Sequence, residues 1–412
     1  MSQVVVDSSL VGKTIVSITI EGNKRTRPYI IQREMTQTIG QPMDPGLLEL
    51  DRQRILNLNL FQQAVITTNQ VDGLVAILVS VKEIWYIFPY PIFFINERDW
   101  KNLSYGAGVT HINFRGRAEI LSIQSWFGYN PSLRLDYTNP WFGEKHQLST
   151  HISLFFDRIR SKHYVDQMVT ERHIGTRWRL GKRFGNFFSI EGMVGYKEVT
   201  LTPKNDEQTP MQTGRDRLPC LGLTLQWDSR DTREYAHTGL FAEIHAEKKG
   251  MPGKRIDYWR TGFDMRAYCP LPWQTTFAVR AASDLSSGDI PTHDFLYLGY
   301  DQRVRGHFSK RRKGDNRFIG SASLRIPLIP LRPVTIPGLT RMKDIPFGVS
   351  AALFVDTGCA WFGRSPLRTI QMLSGFGCGL HFRLPYIQVI RFETAFDGKG
   401  HAEFIVDLFT DI

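Results

Sequence analysis

The chain has 412 residues, a formal net charge of +11 and 42% hydrophobic residues. That length accommodates two or three ordinary domains, or one small and one large. No run reaches the ~18 consecutive apolar residues of a membrane helix, so helical spans are excluded. A membrane β-barrel, whose strands are apolar on one face only, is not.

The basic residues are dispersed apart from Lys310-Arg311-Arg312-Lys313. No stacking motif accompanies that cluster, which argues against nucleic acid. The excess charge reads as solvated loop charge, with contact to anionic lipid headgroups as the alternative. Cys220, Cys269, Cys359 and Cys378 have no CxxC or Cys/His spacing. No metal site or cofactor is expected, and the thiols read as small apolar residues. The N-terminal MSQVVVDSSL has neither a basic segment nor a long apolar one and does not read as a signal peptide.

Residues 1–12 read as an extension and 13–83 as a small α/β domain. Val16, Ile18 and Ile20 alternate with polar neighbours as a strand does, and Gly22-Asn23 ends it. Pro28 opens a helix to about Met35. After Gly40 and Pro42, a second helix from Pro45 carries Leu47, Leu48, Asp51, Ile55 and Leu58 at helical spacing. Two strands follow around an Asp72-Gly73 turn, the second with Val75, Ile77, Val79 and Val81 on one face. This order suits two helices on one face of a small sheet. Residues 84–99 read as a linker rich in aromatics, with Pro89 and Pro91. It is either packed at a membrane interface or an ordinary connector.

From residue 100 to 412 about fifteen segments alternate with period two. Leu221, Leu223, Leu225 and Trp227 oppose Gly222, Thr224 and Gln226. Val349, Ala351, Leu353 and Val355 oppose Ser350, Ala352, Phe354 and Asp356. The polar face mixes small residues with charges of both signs, as in Asp264 and Arg266, or Arg391 and Glu393. A soluble sandwich would turn its polar face to bulk water. Here mixed charges suit a wet, crowded lumen. Segments of roughly ten residues fit tilted membrane strands, and unbonded amides in lipid require the sheet to close. The fold class is mainly β: an antiparallel transmembrane barrel preceded by one α/β domain.

Several segments together resemble the outer-membrane assembly and secretion barrels, the BamA/TamA-like bacterial surface antigen family. Ile20-Glu21-Gly22-Asn23-Lys24-Arg25-Thr26, Gly40 and Asn59-Leu60-Phe61 resemble a POTRA domain. Trp227-Asp228-Ser229-Arg230-Asp231 with Gly239 resembles a family strand and turn. Leu298-Gly299-Tyr300 through Val304-Arg305-Gly306-His307 resembles the tip of the family's long sixth loop. Ser323 to Leu328, Phe354 to Gly358, Gly377 to Leu380 and Leu384-Pro385-Tyr386 resemble its late strands. The resemblance implies sixteen strands and a loop folded into the lumen, where Arg305 meets acidic residues of the inner wall. Asp356 matches the expected partner. The chain departs from the pattern at His307, usually aromatic, and at Arg325, often acidic; Glu393 is the candidate second carboxylate. The final Leu408-Phe409-Thr410-Asp411-Ile412 lacks the usual terminal aromatic.

The resemblance implies an assembly factor that folds and inserts barrel proteins, by strand addition to the POTRA sheet and at a lateral seam. That seam is read here from Leu103–Asn113 and His401–Thr410. The alternatives are a polypeptide-secretion pore of two-partner type and a passive porin. One POTRA domain and a short leader argue against the pore. Partners would be unfolded outer-membrane clients or a secreted polypeptide, the lipid bilayer and periplasmic accessory proteins. No paired-carboxylate, Ser/His/Asp or metal arrangement suggests an enzyme. The expected location is a bacterial outer membrane with POTRA in the periplasm; a mitochondrial or plastid outer membrane is the alternative.

Overall fold

The computed structural model describes residues 4–96, 100–142, 148–162, 169–185, 187–202, 215–232, 235–299, 302–307, 312–334, 345–363, 370–384 and 388–408. The chain forms two compact units, Met1–Arg158 and Ile159–Ile412.

The first unit opens with β1 (Val4–Val5), β2 (Ile15–Glu21), α1 (Pro28–Gln32), α2 (Pro45–Asn57), β3 (Phe61–Val71) and β4 (Leu74–Glu83). They form a four-stranded sheet in the order β1-β3-β4-β2. Leu48 and Ile55 of α2 and Ile30 and Ile31 of α1 are buried with Ile66, Ile77 and Val79 of the sheet. Asp72 and Gly73 both adopt positive φ, +49° and +82°, as a two-residue hairpin turn with right-handed strand twist demands.

Three expectations need correction. Helix α1 stops at Gln32, not Met35. The Asp51 carboxylate of α2 captures the Thr36 amide at 2.7 Å and the Gln37 amide at 3.1 Å, diverting the chain from the helix. Residues 1–12 are not a mere extension: Val4 and Val5 pair with Ile66 and Thr67, and Leu10 is fully buried in the core. A two-residue strand is too short to show a period. Residues 84–99 are not a linker, because Ile87–Ile95 form strand β5, an edge of the large sheet.

The prolines that disguised β5 fit an edge. Ile112 donates to the Tyr86 carbonyl at 2.9 Å, and the register pairs Phe88 with Thr110 and Tyr90 with Gly108. Even-numbered residues therefore bond to β6, and the nitrogens of Pro89 and Pro91 face outward, where no ladder bond is lost.

The strands after β5 are β6 (Leu103–Phe114), β7 (Glu119–Gly128), β8 (Ser132–Phe142), β9 (Leu148–Arg160), β10 (Thr170–Phe184), β11 (Phe188–Thr202) and β12 (Arg215–Asp228). Next come β13 (Gly239–Gly250), β14 (Asp257–Pro270), β15 (Thr276–Asp289) and, in a long loop, the hairpin β16 (Leu296–Leu298) and β17 (Arg312–Gly314). The last are β18 (Asn316–Val334), β19 (Ile345–Trp361), β20 (Leu373–Leu384), β21 (Gln388–Phe396) and β22 (Ala402–Leu408). Apart from the loop hairpin, β5 to β22 make one sixteen-stranded sheet in chain order, with β5 and β22 as its ends.

The burial of this sheet is inverted relative to a soluble protein. Leu221, Leu240, Leu353, Val355 and Phe404 are more than half exposed, while Arg325, Asp356, His381 and Glu393 are buried. A sheet with an apolar exposed face and a charged buried face belongs in a bilayer, wrapped around a polar interior.

Candidate functional site: a loop clamped inside the sheet

The loop between β15 and β18 delivers Arg305 to the interior. The β16–β17 hairpin stiffens its stem, and Val304 packs with Leu298, Ile319 and Leu373. His307 closes a turn by donating from its amide to the Val304 carbonyl at 3.1 Å. Gly306, at φ +88°, leaves no room for a Cβ, which would lie 2.8 Å from the Phe396 carbonyl oxygen.

Arg305 grips Asp356 of β19 with both arms of its fork: Nε to Oδ2 at 2.6 Å and Nη2 to Oδ1 at 2.7 Å. Its Nη1 donates to Glu393 Oε1 of β21 at 2.8 Å, and Nη2 to Ser321 Oγ of β18 at 3.2 Å. The guanidinium carbon lies 3.5 Å from the Phe354 ring centroid. Arg305 is 6% exposed, Asp356 3% and Glu393 0%. One cation thus neutralises two buried carboxylates from non-adjacent strands, in the planar geometry that only arginine offers. His307, where an aromatic is usual, donates from Nε2 to the Ser374 carbonyl at 2.7 Å.

Sequence reasoning missed the loop's grip on the last strand. The Gly306 amide donates to Glu403 Oε2 at 2.9 Å, and Arg303 pairs with Asp407. Both carboxylates belong to β22. Alternation puts them on the inner face, but no motif ties them to the loop.

Of the two expected seam strands, His401–Thr410 contains β22, an end of the sheet, whereas Leu103–Asn113 is not at an edge. Leu103 opens β6, which lies between β5 and β7 and so offers no free edge. Asn113 closes β6, is buried, and donates from Nδ2 to Thr26 Oγ1 at 2.9 Å. It belongs to the contact between the small domain and the β6–β7 turn. His401, 76% exposed, precedes β22 and pairs with Asp397 at 3.0 Å. Thr410 lies outside the described residues, as do Tyr300, Pro385, Tyr386 and the final Phe409, Asp411 and Ile412.

In the domain contact, the Arg27 amide donates to the Gly116 carbonyl at 2.8 Å. Thr26 Oγ1 shares a hydrogen bond with the Tyr86 hydroxyl at 2.9 Å. Glu83 accepts from the Thr26 amide at 2.7 Å and the Arg25 amide at 3.0 Å. Burial pushes the Glu83 carboxyl up, but those bonds outweigh it and hold the group below its ordinary value. Burial pushes the Tyr86 hydroxyl up to about 12.

A profile described as the Omp85 superfamily domain matches residues 113–404, and one described as a POTRA surface-antigen repeat matches residues 13–84. The chain belongs to the Omp85 superfamily. The outer membrane protein assembly factor BamA of Nitratidesulfovibrio vulgaris is 21% identical over 304 residues, 71% of this chain and 37% of that protein. BamA of Neorickettsia risticii is 40% identical over 70 residues, 17% of this chain and 10% of that protein. The Omp85 chain thus spans little more than a third of the longer match. Among solved structures, Haemophilus ducreyi BamA lacking POTRA domains 1–3 superposes with a TM-score of 0.66 at 18% identity, covering 96% of this chain and 83% of that one. Escherichia coli CdiB gives 0.61 at 13%, covering 97% and 75%. At these identities the two structures establish the Omp85 barrel fold with its POTRA domain.

Proposed function

We propose that the protein folds and inserts β-barrel clients into a bacterial outer membrane, with its POTRA domain in the periplasm. The observation that carries this reading is the weak edge of β5. Pro89 and Pro91 remove two of the five outward amides between Ile87 and Ile95. A barrel in lipid must close, and a closing seam short of two donors opens at low cost. Opening exposes backbone that can template an incoming strand. The edge strand β2 of the POTRA sheet offers a second place for strand addition. This route needs no covalent chemistry and no cofactor.

The second reading is polypeptide export through the interior, supported by the comparable likeness to CdiB. Depleting the protein and quantifying outer-membrane proteins separates the two. Assembly requires a broad fall in other barrels. Loss of a single secreted polypeptide with normal barrel levels overturns assembly in favour of export.

A further inference from the structure

The turn between β12 and β13 also enters the interior, from the end of the sheet opposite the Arg305 loop. Asp231 shapes it by accepting from the His237 amide at 3.0 Å. Tyr235 is then carried across to β18 and β20. Two guanidiniums lie over its ring, Arg325 4.3 Å and Arg383 5.3 Å from the centroid. Arg325 also donates from Nη1 to the Ala236 carbonyl at 3.2 Å, and His237 bonds to Thr276 of β15. Arg325 therefore clamps this turn and has no part in holding Arg305.

A continuous chain of polar contacts runs from this turn to the loop. The Tyr235 hydroxyl lies 3.0 Å from His381 Nδ1, and His381 Nε2 lies 3.1 Å from Glu393 Oε1. That same oxygen accepts from Arg305. A neutral imidazole with its proton on Nε2 satisfies both contacts: Tyr235 donates and Glu393 accepts. His381 is buried at 3% exposure, so no bulk water substitutes for either partner.

We infer that the β12–β13 turn is a second interior latch, and that Tyr235, acting through His381, positions the Glu393 carboxylate that holds Arg305. Tyr235 and His381 are positioning residues. Undocking at one end of the barrel weakens the latch at the other, and the coupling is reciprocal. The proposal holds whether the barrel assembles or exports, because its test reads ion flow and not clients.

The test is single-channel recording of the full-length protein in planar lipid bilayers, on variants first checked for folding by heat-shifted electrophoretic mobility. Tyr235→Phe keeps the ring against Arg325 and Arg383 and removes only the hydroxyl. The time spent in open levels should rise about three- to tenfold, the effect of one net hydrogen bond. In a Glu393→Gln background the same change should add nothing, because both act on one carboxylate. His381→Phe, which keeps a ring and removes both polar contacts, should make the protein insensitive to Tyr235→Phe. If Glu393→Gln does not fold, Arg305→Lys takes its place in the cycle. Wild-type gating in Tyr235→Phe, or effects that multiply in the double variant, would overturn the coupling.

Discussion

Arg305 neutralises two carboxylates that have almost no access to solvent, so its removal leaves two buried charges facing each other. Losing one partner of a buried pair costs roughly 3–5 kcal/mol. Arg305→Ala should still yield a folded barrel, since sixteen strands of backbone bonding remain, but should unfold at lower denaturant and lose client assembly. Arg305→Lys keeps the charge without the fork and should fall between the two. Measuring client assembly beside heat-shifted mobility checks this; normal assembly in the Ala variant refutes the clamp's role. Glu83 gives a pH-dependent counterpart. Its folded value lies below the ordinary 4.5, so its stabilising contribution is complete above that value and disappears as pH falls through the folded one. The protection of the Arg25 and Thr26 amides, measured against intrinsic exchange at the same pH, should therefore fall below about pH 4.5, and Glu83→Gln should flatten the dependence.

Elements were legible in proportion to their periodicity. Strands such as β12 and β19 alternate cleanly and were assigned to the correct faces. That alternation alone points Asp356 and Glu393 inward. Strand β5 was not legible: two prolines and a run of aromatics erase period two, although its prolines share one parity, the signature of an edge. The interior ends of the β12–β13 turn and of the Arg305 loop were invisible for a different reason. Loops that pack inside a barrel follow no repeat, so Tyr235 and Arg303 carried no signal, and alternation placed Glu403 and Asp407 of β22 inward without naming their loop partners. Replacing Pro89 and Pro91 with Val tests the edge. Two restored bonds contribute about 1–3 kcal/mol in all, offset by about 0.4–1 kcal/mol for each lost proline through the unfolded chain. Net stability should barely move, whereas assembly activity should fall as the seam tightens. Undiminished assembly with both prolines replaced would refute a weak β5 edge as the gate.

At the scale of the molecule, the sheet is a meander in which, among the described residues, each strand bonds its neighbours in chain order. Such an architecture resembles a linear array, able to come apart one unit at a time. The Arg305 loop breaks that linearity by tying β18, β19, β21 and β22 together from within. The consequence is mechanical. Pulled from its C-terminal end, the chain should resist until the loop lets go, then release the length from Asn316 to Leu408 in one rip, with earlier hairpins following singly. In Arg305→Ala the first rip should shrink to a single hairpin, and force spectroscopy on membrane-embedded protein reads the difference directly as contour length.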